Sequence, residues 1–358
     1  VKNSPHRIIG VLASLILAIS ACSAPTVSTP QGVDKQVQVT DDAGRTITFD
    51  EPVDEIVVAN RYNSELIRAM GHIEKVVSVD TNTAQDRAYW SQFDPDNVIG
   101  KGQSNLNIEK IISLHPDALV LPKNADYESY AEQLEPAGIK VVVVTGWDNK
   151  ALDKQIDILG QLFNDKPAAE ELIKFYEETL ALVKERVEKA PERKTVYWEY
   201  GDPFTTAFPG TSNDGWHNMI VNAGGVNIFA DQPATGDTVD PEYILQTNPD
   251  LILKVTSGGA LKNTGVYTPP ADTEFPSIAE EMMARPGWNN LNAVANDQLY
   301  FMTGFLGGGL GKAIGTVYVA KWLYPEQMAD VNPDDFFNRW LELQNAKPVD
   351  GHTYHAHH

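Results

Sequence analysis

One short phrase occurs twice in this chain, and each copy carries a glutamate that could make an intermolecular contact. The first runs Asn107-Ile108-Glu109 to His115-Pro116-Asp117, then into apolar Ala118–Leu121. The second runs Asp240-Pro241-Glu242 to Asn248-Pro249-Asp250, then into Leu251–Leu253. The glutamate stands at the same distance before the Pro-Asp pair in both. An internal repeat of this kind implies two lobes of similar build. One carboxylate per lobe suits docking to two equivalent sites on a symmetric partner, where cationic side chains would form charge-assisted hydrogen bonds. Taken singly, each glutamate is also a favourable charge at a helix start.

The repeat shows what must hold these carboxylates. Asn107 and Asp240 are good N-caps, because their side chains accept from the free N–H groups of a first turn. Pro241 falls at the first helical position, where no N–H is missed. Pro116 and Pro249 end the helices. Strand-like and helix-like runs alternate around the repeats. Asp41-Asp42-Ala43-Gly44-Arg45 reads as a turn between strands Gln36–Thr40 and Thr46–Phe49. Ile56–Ala59, Val76–Val79 and Lys140–Thr145 are further short apolar or β-branched runs. This rhythm predicts mostly parallel sheets covered by helices. From Lys166 to Ala190 one apolar stripe (Leu172, Tyr176, Leu180, Val183, Val187) keeps helical spacing. A helix that long can cross from one lobe to the other. The expected fold is α/β: two Rossmann-like lobes with central, mostly parallel sheets, joined by one long α-helix. The expected boundaries are 36–165 for the N-terminal lobe, 166–190 for the bridging helix, 191–345 for the C-terminal lobe and 346–358 for a His-rich tail.

Open α/β sheets bind ligands beyond the carboxyl ends of their strands. Those ends here carry Arg61, Tyr62, Trp147, Tyr200, Lys254 and Phe305. The loop Gly210–His217, with Trp216 and His217, opens a further helix and joins them. Aromatic groups interleaved with Arg and Lys suit a planar or bulky anionic chelate, through stacking and cation–π contacts. Trp198 is expected in the core, with Trp147 as a second core candidate. A bare metal ion needs three or four converging ligands, and outside the first residues and the tail only His72, His115 and His217 are histidines. A bound oxyanion stays open, since helix N-termini take anions. The tail His352-Thr353-Tyr354-His355-Ala356-His357-His358 is His-rich; it could scavenge transition metals or be a disordered end. No Gly-x-Ser-x-Gly elbow, phosphate-binding loop or His-Glu-x-x-His is present, and no catalytic residue or cofactor is assigned. Gly307-Gly308-Gly309-Leu310-Gly311 reads as close backbone packing before a helix.

The chain opens with Lys2, His6 and Arg7, followed by the apolar run Ile8–Ile19 and Ser20-Ala21-Cys22. That run of about 12 residues is short for a membrane span and fits an export signal. Residues 1–22 are therefore expected to be a lipoprotein signal, with Cys22 lipidated after cleavage, and 23–35 a flexible tether. Cys22 is the only cysteine, so intrachain disulfides are excluded. The net charge of −21 argues against nucleic acid, which needs a basic face.

Taken together, the Cys22 site, the Glu-bearing Pro-Asp repeat and the single long helix resemble the substrate-binding proteins of ABC transporters of the helical-backbone type: the cobalamin, ferric siderophore and haem receptors. Asp42-Ala43-Gly44-Arg45, Ala223-Gly224-Gly225-Val226-Asn227-Ile228 and Pro286-Gly287-Trp288 strengthen the resemblance, which covers about residues 36–345. It implies a monomeric extracytoplasmic receptor, lipid-anchored to the membrane, that is not an enzyme. It would hold a metal chelate between its lobes, a ferric siderophore first, with a corrinoid, haem or a molybdate or tungstate oxyanion as alternatives. It would deliver that cargo to an ABC permease with its ATPase. Glu109 and Glu242 would meet arginines of the two permease subunits. A surface lipoprotein without a transport role, or an enzyme, is the remote alternative.

Overall fold

A computed structural model describes residues 36–148, 150–206, 215–232, 238–256, 260–262 and 265–357. The expected signal, Cys22, the tether and residues 210–214 of the loop before Trp216 lie outside the described residues.

The N-terminal half begins with an antiparallel hairpin, β1 (Val37–Thr40) and β2 (Thr46–Phe49). A four-stranded parallel sheet follows, built from β3 (Ile56–Val58), β4 (Val76–Val79), β5 (Ala118–Leu121) and β6 (Lys140–Val143) in the order β4-β3-β5-β6. Its helices are α1 (Arg61–Ala69), α2 (Thr81–Ala84), α3 (Ile108–Leu114), α4 (Tyr127–Leu134) and α5 (Leu152–Leu162). The strands are buried on both faces, as parallel strands under helices must be.

The long helix α6 spans Lys166–Val187, about 33 Å at 1.5 Å per residue. It is shorter than the apolar spacing predicts, because Ala190 N–H donates to the Val187 carbonyl and tightens the last turn. The second half repeats the plan with β7 (Thr195–Tyr200), α7 (Gly215–Asn222), β8 (Val226–Asn227), α8 (Pro241–Thr247), β9 (Leu251–Thr256), α9 (Glu274–Met283), α10 (Asn292–Ala295) and β10 (Leu299–Thr303). Helices α11 (Gly311–Leu323) and α12 (Pro333–Leu343) and strand β11 (Thr353–Ala356) complete it. The sheet order is β11-β10-β9-β7-β8, parallel except for β11.

The tail read as a possible disordered end is therefore corrected. Residues 353–356 pair antiparallel with β10, Leu299 opposite Ala356 and Met302 opposite Thr353. The pairing works because alternate residues of the tail face inward: His352 and Ala356 are buried while Thr353 and His355 are partly exposed.

One apolar core runs through both halves. It joins Val58 and Val120 to Leu159, Leu172 and Val183 and on to Leu253, Ile314 and Val317. Helix α11 is buried along nearly all its length inside this core. Separate clusters cover the outer face of each sheet, around Leu119 and Ile111 in the first and Phe301 and Trp288 in the second.

Candidate functional site

The two copies of the repeat fold alike. Helices α3 and α8 each start on a side-chain cap: Asn107 Oδ1 accepts from Lys110 N–H at 2.9 Å, and Asp240 Oδ1 from Glu242 N–H at 2.9 Å. Each ends on a left-handed residue, His115 (φ 51) or Asn248 (φ 49). The aspartate of each Pro-Asp pair binds the chain entering a neighbouring strand. Asp117 Oδ2 accepts from Asp54 and Glu55 N–H, and Asp250 Oδ2 from Thr195 N–H. Caps, prolines and aspartates thus all serve the fold. The carboxylates of Glu109 and Glu242 do not: both side chains are exposed, and neither carboxylate makes a hydrogen bond or ion pair among the described residues. Each helix runs back from the end where its lobe's strands finish, so both carboxylates lie at that end.

Between the lobes, at the carboxyl ends of the strands, lies a cavity of about 700 Å³. Four aromatic rings line it: Tyr62, Trp147, Tyr200 and Trp216. Tyr62 is on the first turn of α1, whose cap Asn60 accepts from Asn63 N–H at 2.8 Å. The Asn63 amide then donates to the Val144 carbonyl at 2.7 Å, tying α1 to the end of β6. Gly146 continues that strand with φ +77, and a Cβ there would lie 2.4 Å from Asn63 Oδ1, so only glycine fits. Trp147 then meets Tyr62 edge-on, with ring centroids 5.8 Å apart.

The opposite wall belongs to the second lobe. Trp216 Nε1–H donates to the Gly307 carbonyl at 2.7 Å, and its ring packs on Tyr200 at 4.3 Å. A Cβ on Gly308 would fall 2.5 Å from the Tyr62 ring, which explains the glycine run. Lys312, in the first turn of α11, reaches across the lobes to the Trp147 carbonyl at 2.9 Å and lies 5.8 Å from the Trp216 ring centroid. It is only 6% exposed. Lys123, Asp42 and Asp148 complete the charged lining, so two cations face two carboxylates. Asp42 is held by a short hydrogen bond from the Thr145 hydroxyl.

Four of the residues expected to bind ligand do not line this cavity. Arg61 is one residue from Tyr62 on α1, about 100° around the helix, and faces a second cavity of about 500 Å³ with Glu65, Asp86 and Arg87. Its Nη2 donates to the Gly304 carbonyl at 3.2 Å. Burial alone would weaken its charge; Tyr62 and Glu65 outweigh that and hold it protonated. Lys254 belongs to β9 itself and is paired in register with Glu199 on β7. Its ammonium is 2.6 Å from Glu199 Oε1, and Arg285 holds the same carboxylate through both guanidinium nitrogens at 2.7 and 3.0 Å. Burial works against the Glu199 charge, but Arg285 and Lys254 prevail and keep its carboxyl below the usual range. Phe305 is buried against Tyr89, Phe337 and His352. His217 is half-buried beside the Asn227 amide, 3.3 Å away. Trp198 is fully buried.

Sequence reasoning missed Lys312 as a cavity residue. Its signal was present: a lysine at the second helical position directly after a glycine run.

The family model described as "Periplasmic binding protein" matches residues 56–304. The chain belongs to the periplasmic binding protein family. Members are solute-binding proteins of ABC importers, and the chain is an extracytoplasmic receptor of that kind. It is 27% identical over 337 residues to the ABC transporter substrate-binding lipoprotein YvrC of Bacillus subtilis (strain 168), covering 88% of this chain and 97% of the relative. It is 30% identical over 170 residues to the vitamin B12-binding protein of Salmonella typhi, covering 45% of this chain and 60% of the relative. The TroA-like periplasmic binding protein FepB from Veillonella parvula shares the fold with a TM-score of 0.73 at 24% identity, over 90% of this chain and all of that one. Among the described residues, no helix is long and apolar enough to cross a membrane.

Proposed function

We propose that this receptor binds a bulky metal chelate of low net charge, a corrinoid ahead of a ferric siderophore, and hands it to an ABC importer while tethered by a lipid on Cys22. The observation that carries the reading is the cavity itself: four aromatic rings and a balanced set of charges between the lobes. A strongly anionic chelate would call for a surplus of cations, and Arg61 and Lys254 are both engaged elsewhere. A bare oxyanion would call for converging N–H donors, whereas this wall presents ring faces. The volume of about 700 Å³ lies in the range of small-molecule sites. The vitamin B12-binding relatives lend support to the corrinoid. Glu109 and Glu242 serve as the docking pair, since theirs are the matched carboxylates of the two copies that the fold leaves unused.

The test is a titration of the purified receptor with cyanocobalamin, ferric hydroxamates, ferric catecholates, haem and molybdate, followed by tryptophan fluorescence. A corrinoid is expected to quench Trp147 and Trp216. Trp216→Ala should weaken that binding by about 1–3 kcal/mol, the usual cost of truncating a buried aromatic anchor. Binding of molybdate alone, or corrinoid binding indifferent to Trp216→Ala, would overturn the reading.

A further inference from the structure

The C-terminal strand carries chemistry that cargo binding does not use. In β11, Thr353 and His355 share one face with His357 just beyond the strand, and Tyr354 and Ala356 share the other with His352 just before it. His352 is fully committed inside: Nδ1 pairs with the Thr303 hydroxyl at 2.8 Å and Nε2 with the Val266 carbonyl at 2.8 Å. His355 and His357 are side by side on the face that carries Tyr300, ring centroids 4.0 Å apart.

We propose that His355 and His357 form a binding site for a late divalent transition-metal ion, Cu²⁺, Ni²⁺ or Zn²⁺, on the edge of the C-terminal lobe. Imidazole nitrogen is a favoured ligand for all three ions. The first ligand is already oriented. His355 Nε2 faces the Asp297 carbonyl, which can only accept, so Nε2 carries the proton and Nδ1 keeps its lone pair. A ligand histidine that donates its other N–H to a carbonyl is the usual supporting arrangement in metal sites. The ring is also clamped by stacking: His355 lies 4.2 Å from Tyr300 at 15°, and Tyr300 lies 4.6 Å from Trp322 at 12°. The second ligand, His357, is exposed and free to adjust. Two imidazoles sharing one ion through bonds of about 2.0–2.1 Å would have centroids roughly 4.5–5 Å apart, so the pair needs to open only slightly. Among the described residues no third side chain converges on the pair, and water completes the coordination. By the general order of affinities, Cu²⁺ binds tightest.

The site is separate from the cargo cavity. His355 lies opposite Tyr300, near the start of β10, whereas the cavity is at the far end of that strand, beyond Thr303. The experiment titrates the full chain, free of cargo, with Cu²⁺ and Zn²⁺ against a competing chromophoric chelator. One saturable site is expected. His357→Ala and His355→Phe should each weaken it by roughly tenfold or more, the phenylalanine keeping the stack on Tyr300 so that β11 stays paired. His115→Ala, an exposed histidine of the other lobe, should change nothing, and cargo affinity should hold in all three variants. Undiminished binding in the double variant His355→Phe/His357→Ala, or no saturable binding by the unaltered chain, would overturn the proposal. Neither result would touch the cargo reading.

Discussion

Lys254 separates a structural reading of a charged residue from a ligand-binding one. It is 2% exposed, and its ammonium donates to Glu199 Oε1 and to the Gly201 carbonyl, both at 2.6 Å. Lys254→Met removes both bonds. Glu199 is 0% exposed and keeps two bonds from Arg285, one from the Tyr197 hydroxyl at 3.0 Å and one from Phe204 N–H at 2.9 Å. The carboxylate therefore stays compensated, and the loss is about 2–3 kcal/mol, that of a buried hydrogen bond to a charged group. Glu199→Leu is worse. It removes the buried carboxylate that Lys254 and Arg285 share, and breaking a buried ion pair in this way costs about 3–5 kcal/mol. Urea denaturation with unchanged m-values should return that order. Cargo affinity should stay within about twofold in Lys254→Met, because a loss of contact energy at the site is what would raise Kd. The Glu199 carboxyl is held below its usual range, so its contribution is present above the unfolded-state value and fades as pH falls through the folded one. If Lys254→Met left stability intact and abolished cargo binding, the lysine would belong to the ligand site and the argument from the β7–β9 register would be wrong.

Glu65 gives a pH signature of opposite sign. Burial raises its carboxyl from 4.5 to about 7 despite Arg61 and Arg68 nearby, so stability should fall as pH rises between those values. Glu65→Gln should flatten that slope and gain up to about 3 kcal/mol at pH 8, measured by denaturation across pH; an unchanged slope refutes the assignment. Glu109→Arg and Glu242→Arg should each weaken coupling to the permease, by a few kcal/mol as interface charge reversals commonly do, while cargo affinity holds; normal transport with both reversed would remove the docking role. Cys22→Ala should give protein without lipid, seen as an unmodified mass and loss from the membrane fraction; a lipid-modified mass in that variant would refute the anchor.

Much of the site was legible because strand ends are a position that alternating runs of residues disclose. Tyr62, Trp147 and Tyr200 were read at strand ends and Trp216 in the loop that opens α7, and all four line the cavity; the repeat pointed to Glu109 and Glu242, whose docking role is a proposal. Side-chain direction was not legible by the same means. Arg61 and Tyr62 are neighbours in sequence, yet a helix turns them into different cavities. Lys254 looked like a strand-end residue because the apolar run stops at Leu253; the strand continues to Thr256, since Glu199 on the adjacent strand satisfies the lysine charge inside the sheet. A buried ion pair disguises a strand in this way, as its polar half reads as a loop.

The same blindness hid β11. Composition made 352–358 a His-rich tail, while its alternation, His352 in and His355 out, is what the sheet uses. The edge position then decides what the outward residues can do. An interior strand would bury His355 and His357 under a helix, but β11 pairs on one side only, against β10. Tyr300, itself stacked on Trp322, covers one face of the His355 ring and leaves its neighbour His357 toward solvent. The fold therefore supplies two imidazoles, one oriented and one adjustable, at the end of the lobe away from the cargo. The proposed metal site and the proposed cargo site rest on different residues, and each proposal can fail without the other.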